Sequence, residues 1–406
     1  MKRVQVSSGP VTAADIDAAA RRISGVAALT PLEECIRLSA ETSTKVLLKR
    51  EDLQVVRSYK LRGAFNLMSQ LSADERAAGV VCASAGNHAQ GVAFACRALD
   101  IRGRIYLPNT TPRQKRDRIL SHGAGTVELV LSGDTFDDAA LAAAKHAADT
   151  GAILVPPFDD VRTIAGQGTV VRELLQQLGR APDVLIVPVG GGGLIAGVLT
   201  YLRERAPWVR VIGVEPAGAP SMQAALHAGG PIRLDAMDPF VDGAAVRRIG
   251  TIPYEIVAAG EVQFLGVDEG AICTEMLRLY QNEGIVAEPA GALAVAALPE
   301  LELPPGSTVV ALITGGNNDV SRYGDRRTFA GSPRPEALFS GGFPAGARRA
   351  SPVPRRGARS RRRHHAVRIR QAQQPGDRSG PGGCRDRRRG RTGRPAGQDG
   401  RCPDGG

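Results

Sequence analysis

Lysine is scarce in this sequence, and long apolar runs are missing. The most apolar stretch, residues 184–202, is interrupted by glycines and a proline, so no run matches the roughly 20 apolar residues that span a bilayer. The N-terminus lacks the apolar segment of a signal peptide. We therefore expect no membrane segment and a cytoplasmic location. The 406 residues contain six lysines: Lys2, Lys45, Lys49, Lys60, Lys115 and Lys145.

Paired cysteine motifs are missing as well. The six cysteines are scattered along the chain without CxxC or metal-ligand spacing. This pattern argues against a disulfide framework and against a metal site. We expect reduced thiols and no bound metal.

The net charge of +11 comes entirely from the end of the chain. Residues 326–406 contain 21 arginines, no lysine and five acidic residues, whereas residues 1–325 carry a net charge of −5. Because the body is mildly acidic, its charge gives no ground for a nucleic-acid partner.

Short β-rich runs alternate with helical periods from Lys45 onward. Near-continuous apolar strands between helices are typical of parallel sheets covered on both faces, so the sequence predicts an α/β fold. Helices are predicted at 12–23 with Thr12 as the N-cap, at 87–99, and at 136–149 with Thr135 as the cap. The predicted strands are Val46–Leu48, Val80–Ser84, Arg104–Leu107, Val127–Leu131, Ile153–Val155, Val184–Val189, Val211–Glu215 and Val309–Thr314.

Three of these strands end in polar or glycine-rich turns, at residues 83–88, 189–194 and 313–317. In parallel sheets, ligands bind at the carboxyl ends of the strands. The three turns therefore predict one site that is built from several strands.

Lys60 is the lysine best placed for chemistry. It lies in Ser58-Tyr59-Lys60-Leu61-Arg62-Gly63, at the start of a helical run. The positive end of a helix dipole favours the neutral amine, which a Schiff-base lysine needs. A solvated surface lysine is the alternative interpretation of this residue taken alone.

Four consecutive glycines, Gly190–Gly193, follow an apolar strand and precede Leu194. Such a run lets backbone N–H groups converge on an anion at a helix N-terminus, and phosphate is the natural ligand. The same residues satisfy a dinucleotide-binding pattern, with Glu215 ending the next strand as its acidic residue. From this segment alone, a phosphate cofactor, a dinucleotide and a structural tight turn all stay open.

The turn formed by Ser84, Ala85, Gly86 and Asn87 could hold a substrate carboxylate through its amides and the Ser84 hydroxyl. Asn87 also offers a donor to a phenolate-like oxygen. His88 fits a packed core position equally well and is assigned no role. Thr314, at the end of the last strand, could present a neutral hydroxyl to a ligand. The alternative interpretation is a strand-end residue that stabilises a turn.

Together these segments resemble the threonine dehydratase branch of the fold-type II pyridoxal-phosphate enzymes, the family of the tryptophan synthase β subunit. The resemblance extends from about residue 16 to residue 323. Its blocks are Lys49-Arg50-Glu51-Asp52-Leu53, Ser58 to Ala64, Ser84 to Gly91, Pro156-Pro157-Phe158-Asp159, Ile164 to Thr169, Val189 to Leu194, Ala287-Glu288-Pro289-Ala290-Gly291-Ala292 and Thr314-Gly315-Gly316-Asn317.

The resemblance implies a fold and a set of roles. A catalytic domain, residues 1–325, would hold pyridoxal 5'-phosphate between two parallel-sheet α/β subdomains, with the small one, at about 50–150, inserted in the larger. Lys60 would form the Schiff base, Asn87 would contact the ring 3′-oxygen, and Thr314 would contact the pyridine nitrogen. The cofactor phosphate would be bound by Gly190, Gly191, Gly192, Gly193 and Leu194. Two departures keep the family's chemistry: Tyr59 replaces a frequent phenylalanine, and Thr314 a frequent serine.

The implied reaction is β-elimination on L-threonine, giving 2-ketobutyrate and ammonia at the entry to isoleucine synthesis. Lys60 would take the α-proton, and the cofactor phosphate would protonate the leaving hydroxide. Serine is expected as a slower substrate, since one methyl group is worth only about 1–3 kcal/mol. The family also implies a homodimer or homotetramer. A racemase or a hydroxyaspartate dehydratase shares these blocks, whereas a nicotinamide oxidoreductase would explain only the glycines and Glu215.

Residues 326–406 differ sharply in composition, since 54 of these 81 residues are Arg, Gly, Pro or Ala. Such a segment cannot bury enough apolar surface to repay chain ordering, so we expect disorder. A nucleic-acid-binding tail and a solvated extension are two interpretations. We favour a third, out-of-frame translation of the regulatory domain that longer relatives carry, because GC-rich DNA read in a wrong frame yields these residues. Inhibition by isoleucine would then be absent.

Overall fold

The computed structural model describes residues 11–318, so the predictions for residues 326–406 lie outside the described residues. Its strands are β1 (Leu32–Glu34), β2 (Lys45–Arg50), β3 (Val80–Ala83), β4 (Gly103–Leu107), β5 (Val127–Leu131), β6 (Ile153–Leu154), β7 (Val184–Pro188), β8 (Arg210–Pro216), β9 (Gln263–Val267) and β10 (Thr308–Ile313).

Helices separate most of these strands. They are α1 (Ala13–Arg22), α2 (Ile36–Thr42), α3 (Lys60–Met68), α4 (Ala73–Ala78), α5 (Asn87–Leu99), α6 (Arg113–Gly123), α7 (Phe136–Thr150), α8 (Val161–Leu178), α9 (Gly193–Arg205), α10 (Ser221–Ala228), α11 (Thr251–Ala258), α12 (Glu269–Glu283) and α13 (Pro289–Ala296), with 3-10 turns at Glu51–Leu53 and Leu298–Glu300.

All eight predicted strands are present, and their ends agree within two residues. Thr12 and Thr135 cap α1 and α7 as predicted, and each accepts a hydrogen bond from the third helical amide. Strands β1 and β9 were not predicted from the sequence. Both are edge strands: β1 is three residues long and mostly exposed, and β9 is only partly buried, so neither has an apolar run.

The strands form two sheets. The larger has the order β1-β2-β10-β7-β8-β9, and every pair in it is parallel except the β1–β2 pair. The smaller has the order β5-β4-β3-β6 and is parallel throughout. The α/β class with parallel sheets, predicted from the alternation of strands and helices, is confirmed.

Both faces of the larger sheet are buried, which explains its near-continuous apolar strands. Leu47 and Val310 pack on one face with α1, α8 and α9, and Leu48 and Val309 pack on the other with α12 and α13. The smaller sheet is covered by α3 and α5 on one face and by α7 on the other. The carboxyl ends of the central strands are therefore the places where polar groups can gather.

The cysteines of the described range are free thiols. Cys35, Cys82, Cys96 and Cys273 are all buried, which agrees with the reduced state predicted from their spacing. Within residues 11–318, no helix is long and apolar enough to cross a bilayer, and no cluster of side chains could hold a metal ion.

A buried charge cluster fixes the start of α3. The Arg62 guanidinium donates two hydrogen bonds of 2.8 Å to the Glu51 carboxylate and a third, of 2.9 Å, to Glu173 on α8. Lys49, on β2, donates to the same Glu173 and to the Thr30 carbonyl. Arg62 and Glu51 are each 1% exposed. The cluster therefore ties α3 to the larger sheet and to α8.

The positive charges of this cluster stabilise the ionised form of Glu51. Burial alone would raise the pKa of Glu51, but the Arg62 guanidinium and Lys49 beside it hold that pKa below its usual range. Glu51 therefore stays ionised in the folded chain. The stability that it contributes is present above the ordinary carboxyl pKa and is lost as pH falls through the lowered value.

We predict that Arg62→Met lowers the free energy of unfolding by about 3–5 kcal/mol, because the buried Glu51 loses the two hydrogen bonds and the adjacent charge of the guanidinium. Arg172→Met is the matched control, because Arg172 forms one part-exposed ion pair, with Asp17. The control should lose about 1 kcal/mol or less. Urea unfolding followed by circular dichroism measures both, and equal losses would refute a special role for the buried pair.

Candidate active site

Lys60 lies where the ends of two strands approach each other. It is the first residue of α3, and its Nζ donates a hydrogen bond of 3.2 Å to the carbonyl of Pro157, just beyond β6. The preceding amide, of Tyr59, donates to the carbonyl of Thr314, just beyond β10. The amine is 5.2 Å from the centroid of the Tyr59 ring. Lys60 is therefore held next to the carboxyl edges of both sheets.

His88 is a core residue beside Lys60. Its Nε2 donates 2.8 Å to the carbonyl of Val155, which fixes the proton on that nitrogen. Burial, together with the nearby Lys60, lowers the pKa of His88 to about 3. The ring is thus neutral and packed.

The glycine loop between β7 and α9 has a shape that only glycine permits at two positions. Gly192 has a φ of +91°, in the left-handed region. A Cβ on Gly191 would be 2.1 Å from a ring carbon of Phe158. Among the described residues, no acceptor is bonded to the amides of Gly190, Gly191, Gly192, Gly193 or Leu194. A run of free amides at the N-terminus of a 13-residue helix fits a phosphate group.

The Ser84–Asn87 turn lies between β3 and α5. The Ser84 hydroxyl accepts a hydrogen bond of 3.2 Å from the Gly86 amide, which leaves its own proton for donation. A Cβ on Gly86 would meet no atom within 4 Å, so the turn faces open space. There is room here for a carboxylate at the N-terminus of α5.

Asn87 is held between two side chains from distant segments. Its Nδ2 donates 2.5 Å to Oε1 of Glu288, and its Oδ1 accepts a bond of 2.8 Å from Nδ2 of Asn317. Glu288 is buried, and burial raises its pKa to about 7, with Asp242 acting in the same direction and the Asn87 bond opposing it. These contacts join the end of β3 to the turn after β10.

Thr314 is buried in the same cluster. Its hydroxyl donates 3.1 Å to the carbonyl of Ala290, at the start of α13. A Cβ on the adjacent Gly315 would be 2.1 Å from Oε1 of Glu288. The turn after β10 therefore packs directly against Glu288 and Asn87.

Glu215 has no place in this site. Both of its carboxylate oxygens are occupied, by the amides of Met222 (2.7 Å) and Gln223 (3.0 Å) at the start of α10. Burial raises the pKa of Glu215 to about 7. The oxidoreductase interpretation needed this carboxylate for a ribose, and the structure uses it to cap a helix instead.

The structure thus brings most of the predicted residues together through shared neighbours. Lys60 bonds Pro157, and the next residue, Phe158, packs on the glycine loop; Lys60 also adjoins Thr314 through Tyr59. No role was predicted from the sequence for Glu288, Asn317, Pro157 or Phe158, although all four lie in the segments that carry the family resemblance. An acidic residue in an otherwise apolar block, as Glu288 is, was the signal available.

Comparisons with known proteins agree with this site. A family model described as pyridoxal-phosphate dependent enzyme matches residues 23–315. The biosynthetic L-threonine dehydratase IlvA of Mycobacterium leprae is 63% identical over 318 residues, covering 78% of this chain and 74% of that protein. The processed threonine deaminase isoform 2 of Solanum lycopersicum has a TM-score of 0.74 at 38% identity, covering 80% and 91% of the two chains. Maize serine racemase has a TM-score of 0.73 at 29% identity, covering 78% and 96%.

The family match spans most of the described residues, and it includes Lys60, the glycine loop and Thr314. The fold type, the cofactor and the enzyme class that the sequence blocks predicted are confirmed. The chain belongs to the family of pyridoxal-phosphate dependent enzymes.

Proposed function

We propose that this protein is an L-threonine ammonia-lyase that converts L-threonine to 2-ketobutyrate and ammonia. The position of Lys60 is the main support for this proposal. Lys60 starts a helix beside the ends of β6 and β10. Phe158, which follows the Pro157 that Lys60 bonds, packs against the glycine loop, whose amides bond no acceptor among the described residues. The similarity to proteins named threonine dehydratase and threonine deaminase supports the choice of substrate.

The described residues fit the cofactor part by part. The amides of Gly190, Gly191, Gly192, Gly193 and Leu194 would hold its phosphate, since among the described residues none of these donors bonds an acceptor. Asn87 would donate to the ring 3′-oxygen, Thr314 would meet the ring nitrogen, and Lys60 would bind the aldehyde. When bound, pyridoxal 5'-phosphate withdraws electrons from the α-carbon of the attached amino acid.

Lys60 is the base in this proposal. With the cofactor held and an amino acid bound, the Lys60 amine would lie within reach of the α-proton and would accept it. The Pro157 carbonyl, 3.2 Å from Nζ, keeps the amine at this place. Because His88 is neutral, it adds no positive charge that would compete for the substrate carboxylate.

Thr314 favours elimination over transamination. Its hydroxyl donates to the Ala290 carbonyl in this structure and would turn to the ring nitrogen when the cofactor is bound; unlike a carboxylate, a neutral hydroxyl would not keep a proton on that nitrogen. A cofactor ring held in this way would withdraw electrons from the α-carbon more weakly, which would favour loss of the β-hydroxyl over reprotonation of the α-carbon. The glycine-loop amides would hold the cofactor phosphate, which would supply the proton that the leaving hydroxide requires.

The turn formed by Ser84, Ala85, Gly86 and Asn87 is the proposed site of the substrate carboxylate. The open space at Gly86 and the N-terminal amides of α5 suit an anion of that size.

We further propose a catalytic domain over residues 1–325, with a small subdomain at about 50–150, in a cytoplasmic homodimer or homotetramer. The smaller sheet, β3 to β6, lies almost wholly in that interval.

We predict that Lys60→Ala lowers 2-ketobutyrate formation from L-threonine by about 10³-fold or more, because base and cofactor anchor are lost together. Lys45→Ala is the control, since Lys45 is a half-exposed lysine paired with Glu34 on the surface. Keto-acid formation from threonine, serine and 3-hydroxyaspartate, with chiral analysis of the remaining substrate, gives the rates. Faster racemisation than keto-acid release would favour a racemase, and a rate unchanged by Lys60→Ala would defeat the proposal.

Gly191→Ala is predicted to weaken binding of pyridoxal 5'-phosphate to the apoprotein by about tenfold or more, because a Cβ there displaces Phe158 and with it the amides of the loop. Gly230→Ala provides the comparison, since a Cβ at Gly230 meets nothing within 4 Å. Fluorescence titration gives both dissociation constants. An unchanged constant for Gly191→Ala would mean that the loop does not hold the phosphate.

A further inference from the structure

The side-chain amide of Asn87 is held at both ends, and the direction in which it is held follows from one backbone carbonyl. Asn317 donates through Nδ2 to the carbonyl of Val56, at 2.8 Å. A carbonyl can only accept, so the atom of Asn317 that faces Val56 must be the nitrogen.

The same nitrogen fixes Asn87. The second proton on Nδ2 of Asn317 is donated to Asn87, at 2.8 Å, so the atom of Asn87 that faces it must be Oδ1. The amino group of Asn87 is thereby turned toward Glu288, to which it donates at 2.5 Å. Nδ2 of Asn87 carries two protons, and this bond uses one of them. One N–H of Asn87 is left for a ligand.

Asn317 contacts the other partner of Asn87 as well. Its backbone N–H is near enough to the Glu288 carboxyl group to act against the rise in the pKa of that group. The Glu288 backbone is held in turn, since its amide donates to the carbonyl of Gly315. Asn317 therefore supplies the donor for the Asn87 oxygen and lies beside the Glu288 carboxyl group that accepts from the Asn87 amino group.

We propose that Asn317 is a positioning residue for the cofactor ring, which orients Asn87 so that an N–H, and not an oxygen, faces the ring 3′-oxygen. The proposal rests on the proposed function, since it requires pyridoxal 5'-phosphate on Lys60. If the Asn87 amide were turned over, its Oδ1 would face the carboxyl oxygen of Glu288, and both atoms are acceptors. The hydrogen bond from Asn87 to the charged 3′-oxygen of the cofactor would then be lost.

The test is Asn317→Asp, which keeps the size of the side chain and removes both of its donated bonds. Asn318→Asp is the matched control. Asn318 is the next residue, is buried where Asn317 is partly buried, and donates at 3.0 Å to the carbonyl of Ala287, whereas the bond to the Asn87 oxygen comes from Asn317. The two variants place the same new charge in the same turn.

Two readouts that do not depend on turnover are compared with the wild-type protein: the dissociation constant of pyridoxal 5'-phosphate, and the visible absorption spectrum of the reconstituted protein as a function of pH. We expect Asn317→Asp to weaken binding about tenfold, and to shift the pH dependence of the absorption band, because the 3′-oxygen loses a donor. Asn318→Asp should stay within about twofold of wild type in binding and keep the wild-type pH dependence.

Asn317→Ala is measured alongside and should change in the same direction, which covers the case in which Asn317→Asp does not fold. Equal changes in the variants at positions 317 and 318, or a wild-type spectrum for both variants of Asn317, would overturn the positioning role. A wild-type protein that binds no pyridoxal 5'-phosphate would instead overturn the proposed function.

Discussion

Arg62 lies two residues beyond Lys60 on α3, and its guanidinium is buried against Glu51. Moving charges out of water costs free energy. A buried ion pair such as Arg62 and Glu51 offsets this cost only while its hydrogen-bond geometry is maintained. Because Glu173 and Lys49 join the same cluster, α3 cannot shift along the larger sheet without leaving a buried charge unpaired. This constraint sets the position of the Lys60 amine.

The rest of the site is built outward from that fixed helix start. Tyr59 bonds the turn after β10, the Lys60 side chain bonds the segment after β6, and Phe158 presses the same segment onto the glycine loop after β7. Asn87, at the end of β3, reaches the turn after β10 through Asn317. Strands from both sheets thus end around one point, where a ligand can be held by groups that are far apart in the sequence.

Much of this arrangement was readable from the sequence. Apolar runs located every strand of the two buried sheet centres. Lys60 was singled out as a scarce lysine at the start of a helical run, and the glycines at 190–193 and Thr314 were singled out because they follow apolar strands. The family resemblance supplied their roles. Strands β1 and β9 were missed because edge strands need no continuous apolar run, and half-buried positions carry a weaker pattern.

The contacts that orient the site were not readable in this way. The pairing of Glu288 with Asn87 joins residues 201 positions apart, and no local pattern encodes it. Glu215 shows the opposite error, since its spacing from the glycines suggested a ribose partner, while the structure bonds it to two helix amides. Local sequence patterns identify candidate functional side chains. Contacts between residues far apart in the sequence determine the hydrogen-bond partner of each one.

The central claim is that Lys60 carries pyridoxal 5'-phosphate through an imine. The most direct measurement is borohydride reduction of the reconstituted protein, followed by proteolysis and mass analysis of the peptides. The account predicts a pyridoxyl phosphate group on the peptide that contains Lys60 and on no other lysine. A modified peptide containing Lys49, Lys115 or another lysine in its place, or no modified peptide at all, would contradict it.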